Sequence, residues 1–190
     1  MRVTRQLAVV LADGTRVGLR PLIPADRVLL EVGLASLSEE SRRLRFLVPT
    51  DKLTPGQWAY LTEIDFVDHV AWGALEGRRP VGVARFIRTE DLVAEVAVTV
   101  VDDMQRRGLG RLLIEVLAVV ARSVGLETFE FILLAENQAM LGLLSRWDPA
   151  IVHEEGVVRA TVAVASITNR DLDGHAILEM TSARRRSTSL

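Results

Sequence analysis

The clearest chemical signal in this chain is residues 105–110, which read Gln-Arg-Arg-Gly-Leu-Gly. They follow a β-branched stretch at 93–101 and precede an apolar-periodic stretch at 109–124. This order predicts a strand, a glycine-containing turn and a helix. The first N–H groups of a helix have no partner within it, so such a turn can hold phosphate. The motif taken alone is also typical of an ordinary helix start with solvated arginines.

The glycines and arginines of this turn suit an anion for separate reasons. Gly108 and Gly110 permit close approach of a ligand and backbone angles that a Cβ would forbid. Arg106, Arg107 and Arg111 can add positive charge to that of the helix dipole. We therefore expect a phosphate site at the start of the helix.

A single carboxylate, Glu95, stands in the otherwise apolar stretch 93–101. Strand alternation places it on one face with Ala97 and Thr99. Apolar surroundings would partly desolvate it and make it a stronger base, which suits removal of a proton from a nucleophile. The alternative is a structural ion pair with a neighbouring arginine such as Arg85.

The elements that position these residues follow from hydrophobic period and turn signals. Asp13-Gly14 predicts a hairpin, Ser38 and Thr54-Pro55 predict helix starts, and Asn137 is a typical N-cap. Strands joined by tight turns, followed by a strand–helix–strand unit, predict an α/β (α+β) fold. Its central sheet is mixed and mostly antiparallel, with helices on both faces. The predicted helices are 26–37, a short one after Ser38, one from Thr54, 109–124 and 137–146, and the strands are 7–11, 16–20, 67–75, 81–88, 93–101, 129–134 and 157–164.

The composition limits the class of protein. The chain has 190 residues, a formal charge of −2 and no cysteine. This predicts one main domain at 1–164 and a C-terminal extension at 165–190 that is partly flexible or docked, with Arg184–Arg186 in a basic tail. Low net charge argues against nucleic-acid and membrane partners, and absent cysteine with scattered histidines argues against a metal site. A reducing cytoplasm is the simplest compartment.

A family resemblance covers most of residues 7–164. Residues 105–110, followed by Asn137, fit the Q/R-x-x-G-x-G/A motif of GNAT superfamily N-acetyltransferases. Further segments resemble the catalytic domain of bacterial Pat-type protein lysine acetyltransferases; these are residues 11–21, 37–46, 81–85, 94–98 and 136–141. The resemblance implies an acyl-CoA N-acyltransferase fold, acetyl-CoA as cosubstrate, and a primary amine as acceptor. That amine is expected to be the side chain of a protein lysine.

The resemblance also implies roles for individual residues. Glu95 corresponds to the general base, and Asn137 contacts pantetheine or a water near the sulfur, besides serving as a cap. Residues 97–99 bind pantetheine and polarise the thioester through their backbone, unless they pair in an ordinary ladder with 129–134. The residues implied for acetyl-CoA are Ala97, Val98, Thr99, Gln105, Arg106, Arg107, Gly108, Leu109, Gly110, Arg111 and Asn137.

Two departures from the family pattern leave alternatives open. The helix after Asn137 has no tyrosine to act as general acid, since the only tyrosine is Tyr60, and residues 147–149 read Trp-Asp-Pro instead of ending in Gly-Phe. A small-molecule amine acetyltransferase and a non-catalytic CoA-binding module are therefore the alternatives. Arg42, Arg43 and Arg45 are interpreted as a solvated charged face, with guidance of an acidic acceptor surface as the alternative. The protein is expected to be a monomer or homodimer.

Overall fold

The computed structural model describes residues 5–188 and the side chains of residues 5–186, so the outer ends of the two predicted segments lie outside it. The described strands are β1 (Leu7–Val10), β2 (Arg16–Pro21), β3 (His69–Glu76), β4 (Arg79–Glu90), β5 (Val93–Val100), β6 (Thr128–Leu134), β7 (Ala150–Glu154) and β8 (Val157–Ala163). The helices are α1 (Arg27–Ala35), α2 (Glu39–Phe46), α3 (Pro55–Thr62), α4 (Leu109–Ser123), α5 (Gln138–Leu144) and α6 (Gly174–Thr188).

The strands form one sheet in the order β1-β2-β3-β4-β5-β6-β8-β7. Every neighbouring pair is antiparallel except β5 and β6, which α4 connects as a parallel crossover. The predicted mixed, mostly antiparallel sheet with helices on both faces is thus confirmed. The predicted helix starts are confirmed as well, because Ser38 caps α2 and Thr54 caps α3, with Pro55 at its first position.

The neighbouring strands β5 and β6 separate after a short paired segment. They pair only from Val93 with Thr128 to Glu95 with Glu130. Beyond that point β5 pairs with β4 alone, and β6 pairs with β8. Residues 97–99 therefore do not pair with 129–134, and the ordinary ladder is the wrong alternative. The facing edges of the two strands leave a groove with backbone groups available to a ligand.

The two faces of the sheet are covered differently. α4 packs on β3, β4 and β5, and α6 packs against α4 and β2. Gly82 of β4 faces α4, since a Cβ there would lie 3.1 Å from Leu113, whereas Val83 faces a cavity beneath α1. None of the nine residues of α1 is buried, although the helix is apolar. The face beneath α1 is thus the open one.

Two parts of the chain differ from the sequence-based expectations. β7 is an additional strand, at the edge of the sheet, and all five of its residues are exposed. Without a buried face its sequence shows no alternation, which explains why it was not predicted. Arg184–Arg186, which were expected in a basic tail, lie within α6.

Candidate active site

The loop between β5 and α4 ends with Gly108 in the left-handed region, at a φ of 89°. Gly108 is the N-cap of α4, and no side chain caps the helix there. The first N–H groups of a 15-residue helix therefore lack a side-chain acceptor, and the helix dipole adds about half a positive charge. This end of α4 can hold an anion through its backbone.

Gly110 has a different role from Gly108. It lies in the first turn of α4, and a Cβ at this position would make only ordinary contacts, the nearest with Leu143 at 3.7 Å. Its backbone angles are not in the left-handed region, so the expectation that Gly110 needs forbidden angles is wrong. Only close approach of a ligand would require a glycine here.

The arginines around the loop point in different directions. Arg106 and Arg111 line the groove beside the start of α4. Arg107 instead forms an ion pair with Asp13 of the β1–β2 turn, at 3.2 Å. The predicted positive charge at the groove therefore comes from Arg106 and Arg111.

Two other predicted cofactor residues stabilise the loop itself. The side-chain amide of Gln105 donates to Ser41 Oγ and to the Val100 carbonyl, both at 3.1 Å, which ties the loop to α2 and β5. Leu109 is only 1% exposed and packs in the core. Its backbone N–H is the only part that can face an anion.

The groove consists of two adjoining cavities of about 250 Å³ each. The first runs from the start of α4 along β5, and the second continues to Glu95. Of the predicted cofactor residues, the first cavity is lined by Val98, Thr99, Gln105, Arg106, Gly108, Gly110, Arg111 and Asn137. The second is lined by Ala97, Val98 and Asn137 as well as Glu95. The side chains of Arg107 and Leu109 line neither cavity.

Asn137 stands where the two cavities meet, since it lines both. Its side-chain oxygen also accepts a hydrogen bond from the Met140 N–H at 3.1 Å. It is therefore the N-cap of α5, and its remaining amide hydrogens are available to the groove.

Glu95 lies at the last paired position before β5 and β6 separate, where the second cavity opens. Its side chain is exposed, so the expected desolvation among apolar residues is wrong. In the part of the chain that is described, it forms no ion pair with Arg85, although its charge acts on the guanidinium of Arg45.

A cation that the sequence analysis assigned to a solvated face, Arg45, faces the groove instead. It lines both groove cavities and also the cavity beneath α1. Desolvation lowers its pKa, while Glu95 and Tyr60 act in the opposite direction. Its neighbour Arg43 is held outside by an ion pair with Glu136 at 2.7 Å. No sequence signal distinguished Arg45, because α2 carries three arginines and only two apolar residues, Leu44 and Phe46.

Neither a metal centre nor a membrane span is seen among residues 5–188. No three acidic, histidine or cysteine side chains are grouped there as a metal site would need. No helix in that range combines the length and apolarity needed to cross a bilayer.

Comparisons with known proteins agree with this arrangement. The acetyltransferase (GNAT) family matches residues 36–147. The chain is 34% identical over 173 residues to the acetyltransferase Pat of Mycolicibacterium smegmatis, which covers 88% of this chain and 52% of that protein. The chain thus spans about half the length of this curated relative.

Two solved structures have the same fold. The GNAT domain of S. lividans PAT superposes with a TM-score of 0.79 at 30% identity, over 83% of this chain and 96% of that one. The protein yncA of Salmonella typhimurium, whose structure contains its cofactor acetyl-CoA, gives 0.63 at 17% identity, over 78% and 94%. That second likeness is one of fold alone. The matched region contains α2, the β5–α4 loop and the diverging strands, and we conclude that the chain belongs to the GNAT family of acetyltransferases, whose cosubstrate is acetyl-CoA.

Proposed function

We propose that this protein transfers the acetyl group of acetyl-CoA to the ε-amino group of a lysine on another protein. The observation that carries the proposal is the separation of β5 and β6 after Glu95, which opens one continuous groove from the start of α4 to that carboxylate. The lysine acceptor rests on the resemblance of residues 7–164 to Pat-type enzymes.

The groove suits each part of acetyl-CoA in turn. The N–H groups at the start of α4, with Arg106 and Arg111, would hold the pyrophosphate. Backbone groups of residues 97–99 would hydrogen-bond the pantetheine arm, because β6 no longer pairs with them. The reacting thioester would then lie near Ala97, in the part of the groove that continues to Glu95.

The chemistry is direct acyl transfer. The amine nitrogen attacks the thioester carbonyl carbon, the C–S bond breaks, and CoA leaves as the thiolate, while the amine proton passes to Glu95 directly or through water. A backbone N–H aimed at the developing oxyanion contributes about 10²–10³ in rate in comparable sites. A thiol of pKa about 8.5 leaves without an obligatory acid, so the missing tyrosine on α5 does not prevent the reaction.

The position of Glu95 at an open mouth supports a large acceptor. An acceptor lysine on a folded partner can reach an exposed carboxylate without entering an enclosed chamber.

The test is acetylation of lysate proteins by the pure protein and acetyl-CoA, with acetyl-lysine measured by mass spectrometry. We expect enrichment on one or a few proteins, and loss of at least about 100-fold in rate for Glu95→Gln with unchanged calorimetric affinity for CoA. Glu90→Gln, which changes another exposed carboxylate on the sheet, is the matched control.

Three outcomes would contradict the proposal. Turnover of free amines without protein acetylation would favour a small-molecule enzyme. CoA binding without any transfer would favour a non-catalytic module. Equal rates for the wild type and Glu95→Gln would remove Glu95 from its role as base.

A further inference from the structure

A third cavity, of about 90 Å³, lies beneath α1 on the open face of the sheet. Ala97 and Thr99 line both this cavity and the groove, so it adjoins the position proposed for the thioester. Most of its wall is apolar, formed by Leu22, Leu29, Leu30, Leu34, Leu61, Trp58 and Val83. Apolar surroundings make any unneutralised charge in the wall costly.

Arg85 of β4 is such a charge. It is 4% exposed and lines the cavity. Its Nη1 donates to the Leu61 carbonyl oxygen at 2.9 Å and to His69 Nε2 at 3.1 Å. Within residues 5–188 it has no carboxylate at ion-pair distance, and Nε and Nη2 have no hydrogen-bond partner. Buried arginines are ordinarily paired with an acid.

The partners of Arg85 satisfy hydrogen bonds without cancelling charge. Burial, and then the charge of Arg85, lower the pKa of His69 to about 4, so His69 is neutral at pH 7. Burial, and then repulsion from Arg45, lower the pKa of Arg85 to about 9, which leaves the guanidinium protonated at pH 7. The interaction with Tyr60 opposes that decrease in the pKa of Arg85.

A second arginine that lines the same cavity is paired with a carboxylate, as buried arginines ordinarily are. Arg20 is 7% exposed and forms a two-pronged ion pair with Asp26, at 2.5 and 2.6 Å. That pair is complete within the fold and needs no ligand. Arg85 and Arg45 have no such partner in the cavity, and Glu95, which attracts Arg45, lies on the groove side.

We propose that Arg85, with Arg45 beside it, binds a carboxylate that is brought next to the reacting carbonyl. The carboxylate belongs either to the acyl group of the donor or to the acceptor, beside its lysine. Both sources present the same chemistry to a planar guanidinium, which can bind a carboxylate through two parallel hydrogen bonds. The acceptor source rests on the proposed function, whereas the donor source requires only CoA binding.

The donor arm compares malonyl-CoA with butyryl-CoA, whose acyl chains have similar length but differ in charge. Calorimetric affinities are measured on the whole chain without an acceptor. If the donor supplies the carboxylate, malonyl-CoA binds at least about tenfold more tightly than butyryl-CoA.

The acceptor arm uses lysine peptides that differ only by Glu or Gln next to the lysine. Rates are measured with acetyl-CoA at limiting peptide. If the acceptor supplies the carboxylate, the Glu peptide has a kcat/KM at least about tenfold higher, mostly through KM.

Three variants test whether Arg85 and Arg45 cause the preference for a carboxylate. Arg85→Gln reduces it to near unity, Arg85→Lys restores part of it, and Arg45→Gln, on a partly exposed helix, weakens it without disturbing the core. Arg78→Gln, at an exposed turn, is the control and keeps the full preference. Circular dichroism and urea unfolding show which variants fold.

The outcomes separate this inference from the proposed function. A carboxylate preference in either arm that depends on Arg85 or Arg45 supports it. No preference in either arm overturns it even where transfer to lysine is efficient, and so does a preference that survives both substitutions. A preference for malonyl-CoA without any peptide turnover supports the inference and defeats the proposed function.

Discussion

At the scale of single residues, Gly108 and Gly110 make a controlled comparison. A Cβ at Gly108 would have no atom within 4 Å, so only its φ of 89° penalises a side chain. We predict that Gly108→Ala lowers the free energy of unfolding by about 1–2 kcal/mol. Gly110→Ala should be neutral or slightly stabilising in urea unfolding, because alanine favours helix.

The two glycine substitutions should also differ in their effect on the affinity for CoA. If phosphate approaches the start of α4 closely, Gly110→Ala weakens calorimetric CoA binding while stability is maintained. Unchanged stability in Gly108→Ala, or unchanged affinity in Gly110→Ala, would contradict this account of the loop.

His69 gives a prediction about pH. Its pKa is lowered from 6.5 to about 4, first by burial and then by Arg85. Between these values the unfolded chain binds a proton that the native protein does not, so the contribution of this residue is present above pH 6.5 and is lost as the pH falls towards 4. We predict a loss of roughly 1–3 kcal/mol in the free energy of unfolding over this window.

Urea unfolding at about pH 7 and about pH 4.5, on either side of most of that window, measures the loss. His69→Gln should reduce the difference between the two pH values, and His153→Gln, at an exposed position, should leave it unchanged. An identical pH dependence in all three proteins would show that other groups cause the acid sensitivity.

The sequence predicted the roles of single residues correctly where the local backbone conformation determines the residue type. Gly108 is a glycine because the turn needs a positive φ. A strand–turn–helix pattern in the sequence indicates that requirement. The exposure of Glu95 depends on which elements pack on its face of the sheet, and Arg45 faces the groove because α2 crosses above it. Both are consequences of the tertiary arrangement, which the residue pattern of a single strand or helix does not reveal.

At the scale of elements, a polar chain joins the C-terminal segment to the start of α4. Glu115, 3% exposed, accepts from Arg111 Nε and from Asn169 Nδ2, each at 2.6 Å. Arg111 lines the groove and keeps its two terminal nitrogens available. The segment before α6 therefore helps to orient a side chain that we assign to the pyrophosphate.

We predict that Asn169→Ala raises the KM for acetyl-CoA about three- to tenfold, with kcat little changed, because a misplaced Arg111 weakens binding before the reaction. S-acetylpantetheine, which lacks the pyrophosphate, should react equally with the wild type and the variant. Thr168 is the exposed neighbour of Asn169 and lies outside this chain of contacts, so Thr168→Ala is the control. A matching loss with S-acetylpantetheine would indicate a general structural defect.

Helices and strands could be predicted from the sequence wherever burial of one face gives the apolar residues a regular spacing. The crossover from β5 through α4 to β6 has an apolar strand, an amphipathic helix and another apolar strand, and it is seen as predicted. The separation of β5 and β6 was expected only from the family resemblance, because the residue pattern of either strand alone does not show where their pairing ends. β7 pairs only with β8 and has no buried face, so its sequence carries no strand period.

At the scale of the whole molecule, the segment 165–190 contributes side chains to the same core cluster as the rest of the chain. Ile167 and Ile177 are fully buried, and Met180 is 7% exposed, although all three lie in the segment 165–190. α6 packs directly on α4, the helix whose first turn we assign to the cofactor. The extension is thus part of the packing that supports the groove.

Deletion of residues 165–190 should therefore unfold or strongly destabilise the protein. Burial of each of these large apolar side chains contributes about 1.5–3 kcal/mol, a large fraction of the roughly 5–15 kcal/mol that is typical of a domain. Deletion of residues 182–190 alone, which begins after Thr181, the last buried side chain among residues 5–186, is the control and should lower the melting temperature much less. Calorimetric melting of the three proteins, with and without CoA, makes the comparison. A 1–164 protein that melts cooperatively near the wild-type temperature would show that the groove is supported without α6.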